Sequence, residues 1–196
     1  MKTIILRDWE YEQKVERLKE TIKLFELLKM LNLKDYQELL SYQNNTFQHP
    51  LETFSFKAKM THMNEFPVFY LEIPGILPLY DDKDNQYLKQ LKNFYVSQTV
   101  NSIQKINSGI TFEKAFILIR QYFPDLKVRD LDNRSKRFIF NGLRQSGLIK
   151  DDDWKNITYM EVGLLDKCNP RTEIYVCDTD YKIQLLEQIE SKVMSK

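Results

Sequence analysis

The sequence predicts an α+β fold, on three observations. Apolar residues recur every three or four positions in residues 8–31, 86–106 and 181–194. They alternate or cluster in 53–59, 67–74, 114–122, 157–162 and 172–176. Turn-forming residues separate these runs. With 196 residues, 42% apolar and 29% charged, the chain can bury a core, which argues for one main domain plus an extension.

The first element is an amphipathic helix over 8–31, with Val15, Leu18, Ile22, Phe25 and Leu28 on one face. Asn32 or Asp35 starts a shorter second helix carrying Leu33, Tyr36, Leu39 and Leu40, and Asn44-Asn45-Thr46 ends it. Residues 1–50 thus form a helical extension that braces the fold, supports a dimer or receives a protein partner, and 51–196 form the main domain. A short strand around Phe54, Phe56 and Ala58 follows, then a strand with Phe69, Leu71 and Ile73 that stops at Pro74. Gly75–Pro78 and the acidic Asp81–Asp84 make a loop before a helix over 86–106, broken by Asn107-Ser108-Gly109. Lys114–Tyr122 is a strand by apolar and aromatic enrichment. Asn133 caps a helix running to about Ser146, with Gly147 at its C′ position. Two β-rich segments, 157–162 and 172–176, flank the turn at Asn169-Pro170, and 181–194 close the chain as a helix.

Bulk charge excludes little. Twenty-nine basic and 28 acidic residues leave a formal +1, so any nucleic-acid surface must come from segregation of charge. Cys168 and Cys177 lie on segments that can form a hairpin, but such sparse usage reads as reduced thiols in a cytoplasmic protein. The N-terminus has no apolar signal-type core, and no run approaches the ~18 apolar residues that span a bilayer. His49 and His62 make no zinc spacing with the cysteines, and phosphate-loop, dinucleotide and zinc-protease motifs are absent from the sequence.

The strongest chemical signal is Asp130-Leu131-Asp132-Asn133 with Lys136, followed by Asp151-Asp152-Asp153. Carboxylates at i and i+2 point the same way from extended backbone. A third arriving beyond the intervening helix completes an oxygen-rich pocket for a hard divalent cation, and the lysine can meet a phosphate. Taken singly, each acidic group reads more readily as an ordinary turn or helix cap. Lys127, Arg129, Arg134, Arg137 and Arg144 border the segment with positive charge suited to phosphate backbone, or to a solvated helix face.

Arg129-Asp130-Leu131-Asp132-Asn133, Lys136 and Gly147–Asp153 together resemble RusA-type Holliday-junction resolvases, over about residues 66–178. The resemblance implies a mixed sheet packed with helices and an endonuclease of phage or prophage origin. It implies a homodimer that cuts four-way or branched DNA with Mg²⁺, or Mn²⁺ in its place. Asp130, Asp132 and Asp152 would be the essential carboxylates, Lys136 the catalytic lysine and Asp151 a further metal neighbour. Lys127, Arg129, Arg134, Arg137 and Arg144 would contact DNA. The acidic loop at 81–84 and Asn141 depart from the family pattern. A RusA-like DNA- or protein-binding regulator with weak or no nuclease activity is the alternative.

Overall fold

The computed structural model describes residues 8–42, 56–63, 65–79, 85–127 and 130–194. The chain divides into two compact units, Met1–Leu51 and Glu52–Lys196.

Among its described residues the first unit holds one helix, α1 (Asp8–Tyr42), of 35 residues. The expected break at Asn32 or Asp35 does not occur. Neither Gly nor Pro lies in this stretch, and Asn or Asp inside a helix costs under about 0.7 kcal/mol, too little to interrupt it. Leu18, Ile22, Phe25 and Leu28 are exposed along it. The expected terminator Asn44–Thr46 lies outside the described residues, as do His49 and the acidic loop 81–84.

The second unit is α+β, a five-stranded mixed sheet with helices on it. Its strands are β1 (Lys57–Met63), β2 (Phe66–Pro74), β3 (Ala115–Phe123), β4 (Ile157–Leu165) and β5 (Arg171–Asp178). Their spatial order is β1-β2-β5-β3-β4. All neighbours are antiparallel except β3 and β4, which run parallel. Its helices are α2 (Asn85–Ile106), α3 (Arg137–Gln145) and α4 (Lys182–Met194), the last entered through a short 3₁₀ turn, Thr179–Tyr181.

Residue parity assigns the two sheet faces. One carries Phe69, Leu71, Ile73, Ile117, Ile119, Ile174 and Val176, all fully buried. Helix α3 covers it, with Phe140 packing on Tyr159 at 5.4 Å between ring centres. The other face begins apolar, where Phe66, Val68, Phe116, Leu118 and Cys177 pack with Leu185 and Ile189 of α4.

Three expectations are corrected. The first strand spans 57–63 among the described residues, reaching past the expected end at 59, because its register is set by pairing Lys57 with Glu72 through Met63 with Phe66; residues 53–55 lie outside the described residues. Helix α3 begins at Arg137, and Lys136, not Asn133, stands at its N-cap, without a side-chain cap bond. Tertiary pairing outcompetes the Asn133 cap: Arg134 bridges Leu79, and the Ser135 N–H donates to the Pro78 carbonyl at 2.9 Å. The two late strands are not hairpin partners, since β3 lies between them. Their connection passes over the end of β3, where the Asp166 N–H donates to the Phe123 carbonyl at 2.9 Å. Cys168 is exposed, Cys177 is buried, and both are free thiols.

Candidate functional site

Among the described residues, those expected to form a metal centre are not brought together. Asp130 and Asp132 are exposed in the turn before α3. Lys136 points inward, its ammonium donating to Glu161 Oε2 at 2.6 Å and to the Leu131 carbonyl at 3.1 Å. Gln121 donates to the other Glu161 oxygen at 2.7 Å and accepts from the Leu77 N–H at 3.1 Å. This chain of bonds ties the turn, β3, β4 and the segment after β2 together, so Lys136 acts as an anchor. The carboxylates of Asp151 and Asp152 lie 3.8 and 3.4 Å from Arg144 Nε in a surface ion pair. Asp153 closes a turn by accepting from the Lys155 and Asn156 N–H groups. Among the described residues no group of three or more His, Cys, Asp or Glu is placed to hold a metal ion. The expected Mg²⁺ or Mn²⁺ site at Asp130, Asp132, Asp151 and Asp152 is therefore not assembled by this geometry.

The expected basic border is divided as well. Arg134 donates to the Leu77 carbonyl at 2.9 Å and lies over the Phe123 ring, Arg137 lies over Phe138, and Arg144 faces the aspartates. Lys127 is exposed on the loop after β3, and its backbone N–H donates to Asp125. Arg129 lies outside the described residues.

A different cluster forms on the sheet face that α4 covers at its apolar end. Toward the other end this face turns polar, because Tyr70 and Glu72 of β2, Arg171, Glu173 and Tyr175 of β5, and Arg120 and Tyr122 of β3 share its parity. Glu173 is the hub and is only 7% exposed. Its Oε1 accepts from Arg171 Nε at 2.8 Å. Its Oε2 accepts from Arg120 at 3.3 Å and from the Tyr122 and Tyr175 hydroxyls, each at 3.1 Å. A buried carboxylate is tolerable only when so surrounded. Arg171 also donates to Asp166 at 2.7 Å, and its guanidinium lies 3.6 Å from the centre of the Tyr122 ring. Beside this hub the Tyr70 hydroxyl donates to Glu72 at 2.9 Å, and Lys57 pairs with the other Glu72 oxygen at 3.3 Å.

Burial, then the negative charge of Glu173, push the Tyr70 and Tyr175 phenols well above the usual tyrosine range. Tyr122 moves the same way for the same two reasons. These rings stay protonated, and each gives its single O–H to a carboxylate. Next to them opens a groove of about 490 Å³ whose walls include Lys57, Lys59, Thr61, Tyr70, Glu72 and Tyr175. The signal for it in the sequence is the i, i+2 spacing of Tyr70 and Glu72, Arg120 and Tyr122, and Arg171, Glu173 and Tyr175, polar and aromatic residues alternating inside strands.

No family model and no curated protein matches the chain. Solved structures that align with it include the periplasmic domain of Helicobacter pylori MotB, at 15% identity and a TM-score of 0.32, covering 67% of this chain and 86% of that one. Another is the OmpA-like domain of FopA1 from Francisella tularensis, at 18% identity and a TM-score of 0.32, covering 64% and 82%. Likeness at this level carries neither fold family nor activity across. No family model supports membership of the RusA-type resolvases. The RusA-type expectation is withdrawn on this finding and on the engagement of Lys136, Asp151 and Asp152 described above. With it go the endonuclease activity, the four-way-junction DNA, the homodimer that paired nicks require, and the RusA-like regulatory alternative with its partner at residues 1–50. Among the described residues no helix is long and apolar enough to cross a membrane.

Proposed function

We propose that this chain is a non-catalytic binding domain that holds a polyhydroxylated ligand of the carbohydrate class in the groove beside Tyr70 and Tyr175. One observation carries the reading: the groove is walled by two tyrosines whose phenolic protons are held by Glu72 and Glu173, leaving the oxygen lone pairs to meet a ligand. A sugar suits such a surface. Its C–H face packs on an aromatic ring, and its hydroxyls donate to phenolic oxygens and accept from ammonium and threonine donors. Lys57 is paired with Glu72, and among the described residues Lys59 is the one other lysine lining the groove. So small a cationic excess favours a ligand recognised chiefly through hydroxyls over a densely charged polyanion, which needs more cations.

Calorimetry with a panel of soluble neutral and acidic oligosaccharides tests this. The expected wild-type dissociation constants lie between about 10 μM and 1 mM, and Tyr70→Ala is expected to weaken binding about tenfold, roughly 1.4 kcal/mol. Circular dichroism establishes that the variant is folded. If millimolar saccharide neither releases heat nor shifts the amide resonances of β1 and β2, the reading is wrong.

A further inference from the structure

We infer that the ligand of this groove carries a carboxylate, and that the carboxylate docks on Lys59. The inference rests on the carbohydrate reading above and narrows it to an acidic saccharide.

Lys57, Lys59 and Thr61 alternate along β1, and their register opposite Glu72, Tyr70 and Val68 puts them on the groove face. The two lysines differ in what they meet. The Lys57 ammonium is neutralised by Glu72. The Lys59 ammonium lies 5.3 Å from the centre of the Tyr70 ring, and among the described residues no carboxylate pairs with it. A ring face attracts an ammonium but takes none of its three N–H groups as a full hydrogen-bond partner. Lys59 therefore brings to the groove a positive charge with donors to spare.

The neighbouring hydroxyls sharpen the choice. Tyr70 and Tyr175 cannot donate to a ligand, because their protons are held by Glu72 and Glu173. An anionic oxygen is thus repelled from the tyrosine side by phenolic lone pairs and by Glu72. It is accepted on the β1 side by Lys59, with the Thr61 hydroxyl about 7 Å further along the strand. A carboxylate on a sugar ring, with the sugar hydroxyls toward the phenolic oxygens and the anion toward β1, satisfies both sides at once. A neutral sugar gains nothing from the Lys59 charge, which is exposed to solvent.

Matched pairs of uronate oligosaccharides and their methyl esters test this, because esterification removes the charge and keeps the ring. Titrated at about 20 mM salt, where a surface charge pair is least screened, the wild type is expected to bind uronate about fivefold more tightly than ester, the scale of one favourable exposed ion pair. That preference should shrink as salt is raised. Lys59→Gln is expected to abolish it, and Lys59→Arg to retain it. Equal binding of uronate and ester by the wild type, or a preference that survives in Lys59→Gln, overturns the inference and leaves the carbohydrate reading standing. Failure of both members of every pair to bind overturns both.

Discussion

Glu173 concentrates four donors on one buried carboxylate, and its removal should be felt in stability before it is felt in binding. Glu173→Gln leaves the Arg120 guanidinium, whose side chain is 10% exposed, without its counter-charge. Breaking one side of a buried pair costs about 3 kcal/mol or more, which urea denaturation will register as a lowered midpoint. The phenols around it set an alkaline limit. A phenol whose folded pKa lies above its unfolded value lends stability that is complete below about pH 10 and is lost as pH rises past it. Burial foremost, and then Glu173, raise Tyr70 and Tyr175 in this way. Stability is therefore expected to fall above about pH 10, and Tyr70→Phe, which has no proton to lose, should make the fall shallower in urea melts taken across that range. The thiols give an independent check on packing. Burial, helped by Asp178, pushes the Cys177 thiol up to about 12. An aromatic disulfide reagent at about pH 8 should titrate Cys168 alone, with Cys177 appearing only in denaturant; immediate reaction of both would contradict the buried position of Cys177. At this scale the sequence displayed every member of the cluster. Their convergence was hidden, because it depends on β5 lying between β2 and β3, a pairing between residues about a hundred positions apart that no local pattern encodes.

Among elements, α2, β2 and α4 follow the apolar periodicity closely, since each buries a regular face or stripe. Helix α3 shows where periodicity stops being informative. Asn133 is a good cap by type, yet the chain from Arg134 to Ser135 is drawn into pairing with Pro78 and Leu79, and the helix begins only after it. Inside that helix Gly142 has a role its sequence position does not advertise. A β-carbon there would stand 2.6 Å from Cβ of Thr99 on α2, closer than real contacts allow. The two helices approach through that missing side chain. Gly142→Ala is expected to destabilise by about 1–3 kcal/mol as overpacking does, despite alanine's better helix propensity. Thermal melts will decide: a rise in Tm would show that the helices can separate at no cost. Gln121, Glu161 and Lys136 belong to the same lesson. Each reads in isolation as a polar residue on a strand or beside a helix, and the lysine in particular invites a catalytic role. Its 2.6 Å bond to Glu161 shows a tether instead.

At the scale of the molecule, the division at residue 51 implies that the sheet unit holds its own core. A fragment of residues 52–196 is expected to melt in one cooperative transition and to retain saccharide binding, as measured by calorimetry on the fragment beside the full chain. A fragment with no transition would assign α1 a bracing role. The helical start and the α+β character were legible in the pattern of apolar residues, whereas the strand order was not. That order has a consequence for how the molecule comes into being. The strand β5 is the last to be synthesised, and it pairs with β2 on one side and with β3 on the other. Without it, β1–β2 and β3–β4 share no seam. β2 is complete at Pro74 but β5 only at Asp178, so the inner edge of β2 waits for its partner through the translation of about a hundred residues. A stop before Arg171 would release both edges uncapped, the condition in which strands seek partners on other chains.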